Sequence, residues 1–173
     1  ATDATHNTAV GMDSMKAHET GNECTAIGYI ALNANTTGAA NTIVGSYAGD
    51  VNTTGGYNSA LGHNALGANT TASYNTAIGN SSLIANTTGA QNTAVGHSAL
   101  AANTDVSFNT AVGSSAGAAL SSGGNFVGMG YNAGASATSA TGTTLIGSQA
   151  GDAITSADYN TALGYAALSA SIT

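Results

Sequence analysis

Along the whole chain one phrase of polar and apolar positions recurs every 17 residues: Asn-Thr-Ala, then an aliphatic side chain, then glycine. Gly11, Gly28, Gly45, Gly62, Gly79, Gly96, Gly113, Gly130, Gly147 and Gly164 keep that step without a slip. The position before each glycine is aliphatic or Met: Val10, Ile27, Val44, Leu61, Ile78, Val95, Val112, Met129, Ile146, Leu163. Two residues earlier stands a Thr column of Thr8, Thr25, Thr42, Thr76, Thr93, Thr110, Thr144 and Thr161. Side chains alternate across a strand, so each Thr shares a face with its aliphatic partner, and β-branched residues favour a strand there. Burying one such aliphatic side chain contributes about 1.5–3 kcal/mol. The aliphatic column is therefore expected to be the core, with the Thr hydroxyls laddered beside it, and Val95→Asp is expected to unzip several coils. The intervening residue, mostly Ala, points to the opposite face, which is then small enough to pack closely against something else.

After the glycine come two variable positions, then Ala in eight coils, then Leu or Gly, as at Leu32, Leu66, Leu83, Leu100 and Leu168. A second extended segment is expected here, with Leu filling space where a neighbouring coil has only Gly. The coil closes with Asn-Thr-Thr-Gly at Asn35, Asn52 and Asn86, and with Asn-Thr-Thr-Ala at Asn69. Asn and Gly tolerate the left-handed backbone of tight turns, so stacked turns predict an Asn ladder. Helices are excluded because apolar positions do not recur at i, i+3, i+4, i+7 and because Gly and Asn-Thr-Thr runs interrupt every window. The fold class expected is all-β: a single array, residues 1–173, of ten 17-residue coils forming a parallel β-roll or β-solenoid with two short strands per coil. At about 4.8 Å between strands the rod would be about 48 Å long.

Composition narrows what such a rod can do. The chain has one Lys or Arg, Lys16, and eight acids, for a net charge of −7, which removes the electrostatic attraction on which phosphate-backbone binding depends. No nucleic-acid partner is expected. No apolar run approaches the roughly 20 residues that cross a bilayer, so this segment is not expected to insert in a membrane. The single cysteine, Cys24, stands in a phase that Asn fills in seven coils and reads as a tolerated substitution.

Candidate chemistry is sparse. His63 and His97 share a phase two coils apart, about 9.6 Å, too far to hold one ion, although a ring of His63 from three chains could; His6 and His18 stand apart from them. Asp50 and Asp152 share a phase six coils apart, about 29 Å, too far for paired carboxylate chemistry; Asp3, Asp13, Glu19, Glu23, Asp105 and Asp158 are scattered. No catalytic, cofactor-binding or metal site is assigned, and no enzyme is expected. Tyr57, Tyr74, Phe108 and Tyr159 share the phase before the strand, and Tyr29, Tyr131 and Tyr165 the first position after Gly. They are expected to shield the edge of a thin core or to lie in a subunit contact, with stacking on a glycan or receptor as the functional alternative. Asn35, Asn52, Asn69, Asn80 and Asn86 begin Asn-x-Ser/Thr sequons, acceptors for N-linked glycans in a eukaryotic secretory route and simple turns elsewhere.

The array holds ten periods and three further residues with no polar capping segment, which points to a section of a longer fibre or to ends that join other chains. The phrase Asn-Thr-Ala-Val-Gly-x-x-Ala-Leu, clearest over Asn92–Leu100 and echoed over Asn160–Leu168, resembles the head repeats of YadA-like trimeric autotransporter adhesins and related repeats of tail-fibre proteins. That resemblance implies a left-handed parallel β-roll, three of which associate side by side into an extracellular attachment fibre on a cell surface or virion, with a cell-surface glycan or protein as receptor. Those heads repeat in about 14 residues, whereas this chain carries a longer Asn-Thr-Thr-Gly turn. Two other roles fit a solenoid. One is a filament of chains stacked end to end; the other is an ice-binding rod, which needs Thr pairs two apart on a flat exposed strand and is disfavoured because the Thr pairs here, such as Thr36 and Thr37, are adjacent within a turn and the strand Thr column is expected to point inward.

Overall fold

The computed structural model describes residues 4–156 and 158–169. Ten three-residue strands follow one another, β1 (Thr8–Val10), β2 (Thr25–Ile27), β3 (Thr42–Val44), β4 (Ser59–Leu61), β5 (Thr76–Ile78), β6 (Thr93–Val95), β7 (Thr110–Val112), β8 (Val127–Met129), β9 (Thr144–Ile146) and β10 (Thr161–Leu163). They form one parallel sheet in chain order, each residue paired with its equivalent one period on, as in Thr76↔Thr93, Ala77↔Ala94 and Ile78↔Val95. The chain is thus an all-β parallel solenoid without helix among the described residues.

Outside the ten strands only isolated parallel bridges join Ser122 to Ser139 and Ser139 to Ser156, and among the described residues the second strand expected in each coil does not form. Its place is taken by a run of turns in which two positions per coil adopt left-handed backbone, for example Ile30 at φ 60° and Leu32 at φ 51°. This wall still bonds from coil to coil: the Leu32 amide donates to the Ala48 carbonyl at 3.0 Å and the Leu100 amide to Ala116 at 3.0 Å. The backbone needs of this wall are shared between neighbouring coils and turns within a coil, as where the Asn86 amide donates to the Leu83 carbonyl at 3.1 Å.

The core is also not where the hydrophobic pattern put it. From β2 to β10 the central residue of the strand is buried, as at Ala26, Ile43, Ala60, Ala77, Ala94, Ala111 and Leu145, while the aliphatic column before the glycine faces out; β1, at the end of the array, is exposed throughout. Alternation along the strand holds, but its sense is reversed. The physical reason is thickness: Leu32, Leu66, Leu83 and Leu100 enter from the opposite wall and are fully buried, leaving room for only Ala across from them. Where Gly takes the Leu phase, the partner grows. Ile43 packs 3.6 Å from a Cβ placed on Gly49, the Phe126 ring 2.8 Å from one on Gly117, and Leu145 2.8 Å from one on Gly151. The strand residue beside that ring shrinks to Gly128, whose Cβ would come within 2.6 Å of it. Interior volume is held near constant, as close packing demands.

Two asparagine ladders flank this thin core. In the closing turns, the amide of Asn52 donates to Asn35 Oδ1 (3.0 Å), Asn69 to Asn52 (2.7 Å), Asn86 to Asn69 (3.0 Å) and Asn103 to Asn86 (3.0 Å). Each also donates to its own turn carbonyl, as Asn86 does to Gly89 at 2.9 Å. In the second ladder, which the repeat phrase did not by itself reveal, the Asn before each strand accepts from the backbone amide of its successor: Asn58 N to Asn41 Oδ1, Asn75 to Asn58, Asn92 to Asn75 and Asn109 to Asn92, all at 3.0 Å. Cys24 occupies this phase, buried, its thiol donating to the Gly38 carbonyl at 3.3 Å. No buried side-chain nitrogen or oxygen among the described residues lacks a partner.

The invariant glycine closes the argument for register. At Gly79 φ is 130° and a Cβ would stand 2.5 Å from the Gly96 carbonyl oxygen. Gly164, in the last coil, has nothing within 4 Å of that position, so the constraint arises from the next coil. We predict that Gly79→Ala lowers stability by several kcal/mol through strain and overpacking together. Gly67→Ala, whose Cβ would meet nothing closer than 3.3 Å, stays within about 1 kcal/mol. Thermal melts followed by circular dichroism separate the two.

Candidate interaction face

The reversed strand places two files of side chains on an uncovered sheet face. Val10, Ile27, Leu61, Ile78, Met129 and Leu163 are all exposed, from 39% at Ile27 and Ile78 to 78% at Leu163; Val44, Val95, Val112 and Ile146 are half-buried by their neighbours in the file. The Thr column runs parallel to it, outward rather than inward, with Thr8, Thr42 and Thr161 exposed and the others half-buried. No charged residue stands in any of the ten strands. Ten rungs of about 4.8 Å and strands of about 10 Å give a strip of about 480 Å² in projection. The aliphatic file makes up about half of it, an apolar extent of the kind that is often functional on soluble proteins.

A file of rings forms the shoulder of this strip. Tyr57 and Tyr74 stack at 4.9 Å with planes 4° apart, and Tyr57, Tyr74 and Phe108 are each 58% exposed. They stand out from the core instead of covering its edge, the first of the two structural roles expected of them. The left-handed backbone of their phase (φ 58°, 63° and 65°) turns the chain at that corner and carries the rings outward. In the second aromatic phase, Tyr29 meets Tyr47, which stands one position later in its own coil, edge-on at 5.3 Å, and Tyr47 meets His63 at 6.0 Å. The Tyr47 hydroxyl is held above the usual tyrosine range by its hydrogen bond to Tyr29 and by the charge that Tyr29 would carry.

The remaining polar candidates are not brought together. His6, His63 and His97 are exposed, whereas His18 is half-buried and continues the first Asn ladder, its Nδ1 3.0 Å from the Asn35 amide and its Nε2 2.6 Å from the Gly21 carbonyl. Among the described residues no three His, Cys, Asp or Glu side chains are grouped to hold an ion. Lys16 pairs with Asp13 at 3.1 Å on the surface. Asp50 lines an open groove of about 410 Å³ with Val51, Asn64, Gly67, Ala68 and Ile84. The groove is a notch left where Gly67 interrupts the column that holds Asp50 and Ile84. Burial pushes the Asp50 carboxyl above its ordinary range, against hydrogen bonds to backbone amides that pull the other way. The described residues include no helix long and apolar enough to cross a membrane. No family model, curated protein or solved structure matches the chain.

Two predictions follow from these placements. Val95→Asp puts a carboxylate at a solvent-reached position and is expected to cost about 1 kcal/mol, whereas Ala94→Asp buries an unpaired charge and abolishes the folding transition. Equal losses for the two in chemical denaturation would mean that the strand faces the other way. Asp50 has its folded pKa raised, so its contribution is present at acid pH and lost as pH rises through the folded pKa. Asp50→Asn should therefore raise the melting temperature at neutral pH and leave it unchanged well below the carboxylate range.

Proposed function

We propose that this chain is a non-enzymatic structural or adhesive segment of an extracellular fibre, the rod or head of a trimeric surface adhesin or tail fibre that mediates attachment. The roll is left-handed in this reading, and three copies lie side by side. One observation carries it: the file Val10, Ile27, Leu61, Ile78, Met129 and Leu163 is exposed although the repeat keeps that position aliphatic or Met in all ten coils. A solvent-facing position under no packing demand has no physical reason to stay apolar ten times, whereas a face covered by further copies does. The phrase shared with YadA-like heads supports the same reading. The rod holds a receptor-binding region away from a surface or presents its own repeated flank, including the ring file of Tyr57, Tyr74 and Phe108, to a glycan or protein.

A second reading gains from the outward Thr column. The Thr file and the aliphatic file two residues on form a regular, charge-free surface of hydroxyls and methyls, the arrangement that ice recognition asks for. The inward Thr column that counted against it is not found, while no strand carries the Thr pair two apart that such a surface needs. Light scattering coupled to size exclusion decides between them. A discrete particle near three times 16.5 kDa is expected. A monomer that shows thermal hysteresis and faceted ice crystals would replace the fibre reading with the ice-binding one, and an open-ended size distribution would replace it with an end-to-end filament.

A further inference from the structure

Five sequons occur in the chain, and the fold treats them in two opposite ways. Asn35, Asn52, Asn69 and Asn86 are at most 2% exposed, and the nitrogen that a glycan would occupy is the donor of the ladder. In Asn69 it bonds both Asn52 Oδ1 at 2.7 Å and the Ala72 carbonyl at 3.1 Å; in Asn86 it bonds Asn69 Oδ1 at 3.0 Å and Gly89 at 2.9 Å. An N-linked sugar replaces one hydrogen of that amide and brings a bulky polar body with it. Neither the hydrogen bonds nor the volume can be found in a core this thin. Asn80 differs. It follows invariant Gly79 just after β5, its side chain is exposed, its amide stands 3.4 Å from the exposed His63 ring and its Oδ1 accepts from the Ser81 hydroxyl at 3.0 Å, surface contacts that water can replace at little cost.

We propose that Asn80 is the one sequon of this chain whose asparagine the folded protein can carry as an N-linked glycan, and that glycosylation at any of the four ladder sequons is incompatible with the fold. This goes beyond the fibre reading and does not depend on it. It also restricts where the chain can be made: a cell that glycosylates Asn-Thr-Thr during translation would trap it unfolded.

The third residues of the ladder sequons, Thr37, Thr54, Thr71 and Thr88, are exposed, while it is the preceding Thr36, Thr53, Thr70 and Thr87 whose hydroxyls bond the next coil. Thr37→Ala, Thr54→Ala, Thr71→Ala and Thr88→Ala together therefore remove four sequons without touching the ladder. The full chain, secreted from an N-glycosylating eukaryotic cell, is compared with this fourfold variant by site mapping, endoglycosidase shift and thermal melting of the folded fraction. The expected result is a fourfold variant that melts cooperatively with one glycan, at Asn80, and loses it on Asn80→Gln. The folded fraction of the parent chain should carry no glycan on the four ladder asparagines. A cooperatively folded parent with sugars mapped to Asn35, Asn52, Asn69 or Asn86 would overturn the proposal. So would a fourfold variant that leaves Asn80 unmodified, or that folds only when Asn80→Gln is added.

Discussion

Everything in this molecule depends on how closely one coil can approach the next at the invariant glycine. Because the backbone there runs at φ between 126° and 143° and, at all but Gly164 in the last coil, the next coil's carbonyl lies where a Cβ would sit, these glycines fix both the distance and the register of stacking. Once that register is set, every phase of the repeat meets its own kind one coil away. Threonine pairs with threonine, ring stacks on ring, and asparagine amide meets asparagine carbonyl. A shift of one residue would turn the Ala face outward and the aliphatic file inward, into a space sized for Ala.

The array is stable only as a set of neighbours. A single coil has a three-residue strand, an Ala-sized interior and buried asparagines whose partners belong to other coils, so its energy lies at the interfaces, as in one-dimensional repeat systems. The trade between the Leu phase and the strand centre shows how narrow the tolerance is. Gly49 with Ile43 and Gly151 with Leu145 keep the same filled width by opposite choices of side chain, and at Gly117 the ring of Phe126, from the Asn phase of the next coil, fills the space instead.

The period, the parallel stacking and the Asn ladder of the closing turns were legible in the sequence, because glycine and asparagine act through the backbone and need no knowledge of the surroundings. The facing of the strand was not. Val10 to Leu163 read as core on the assumption that the larger side chain of an alternating pair goes inside, which holds for sheets backed by a thick layer. Here the opposite wall is only one Leu away. The signal was present in the covariation of the strand centre with the Leu phase: Ile43 and Leu145 are large in the coils where Gly49 and Gly151 are small. His18 gave no sign of its place either, since only the 17-residue offset from Asn35 puts it at the foot of the ladder.

That ladder changes character part-way along the chain. Asn35 to Asn103 bond through their amides, whereas the same phase is then filled by Leu120, Ala137 and Ile154, with Phe126 in the neighbouring Asn column. At this phase the first stretch adds side-chain hydrogen bonds to the apolar core that it shares with the rest, whereas the second adds apolar contact, which weakens on cooling and raises the heat-capacity change of unfolding. The later coils of one continuous sheet thus draw a larger share of their stability than the earlier ones from an interaction that fades in the cold.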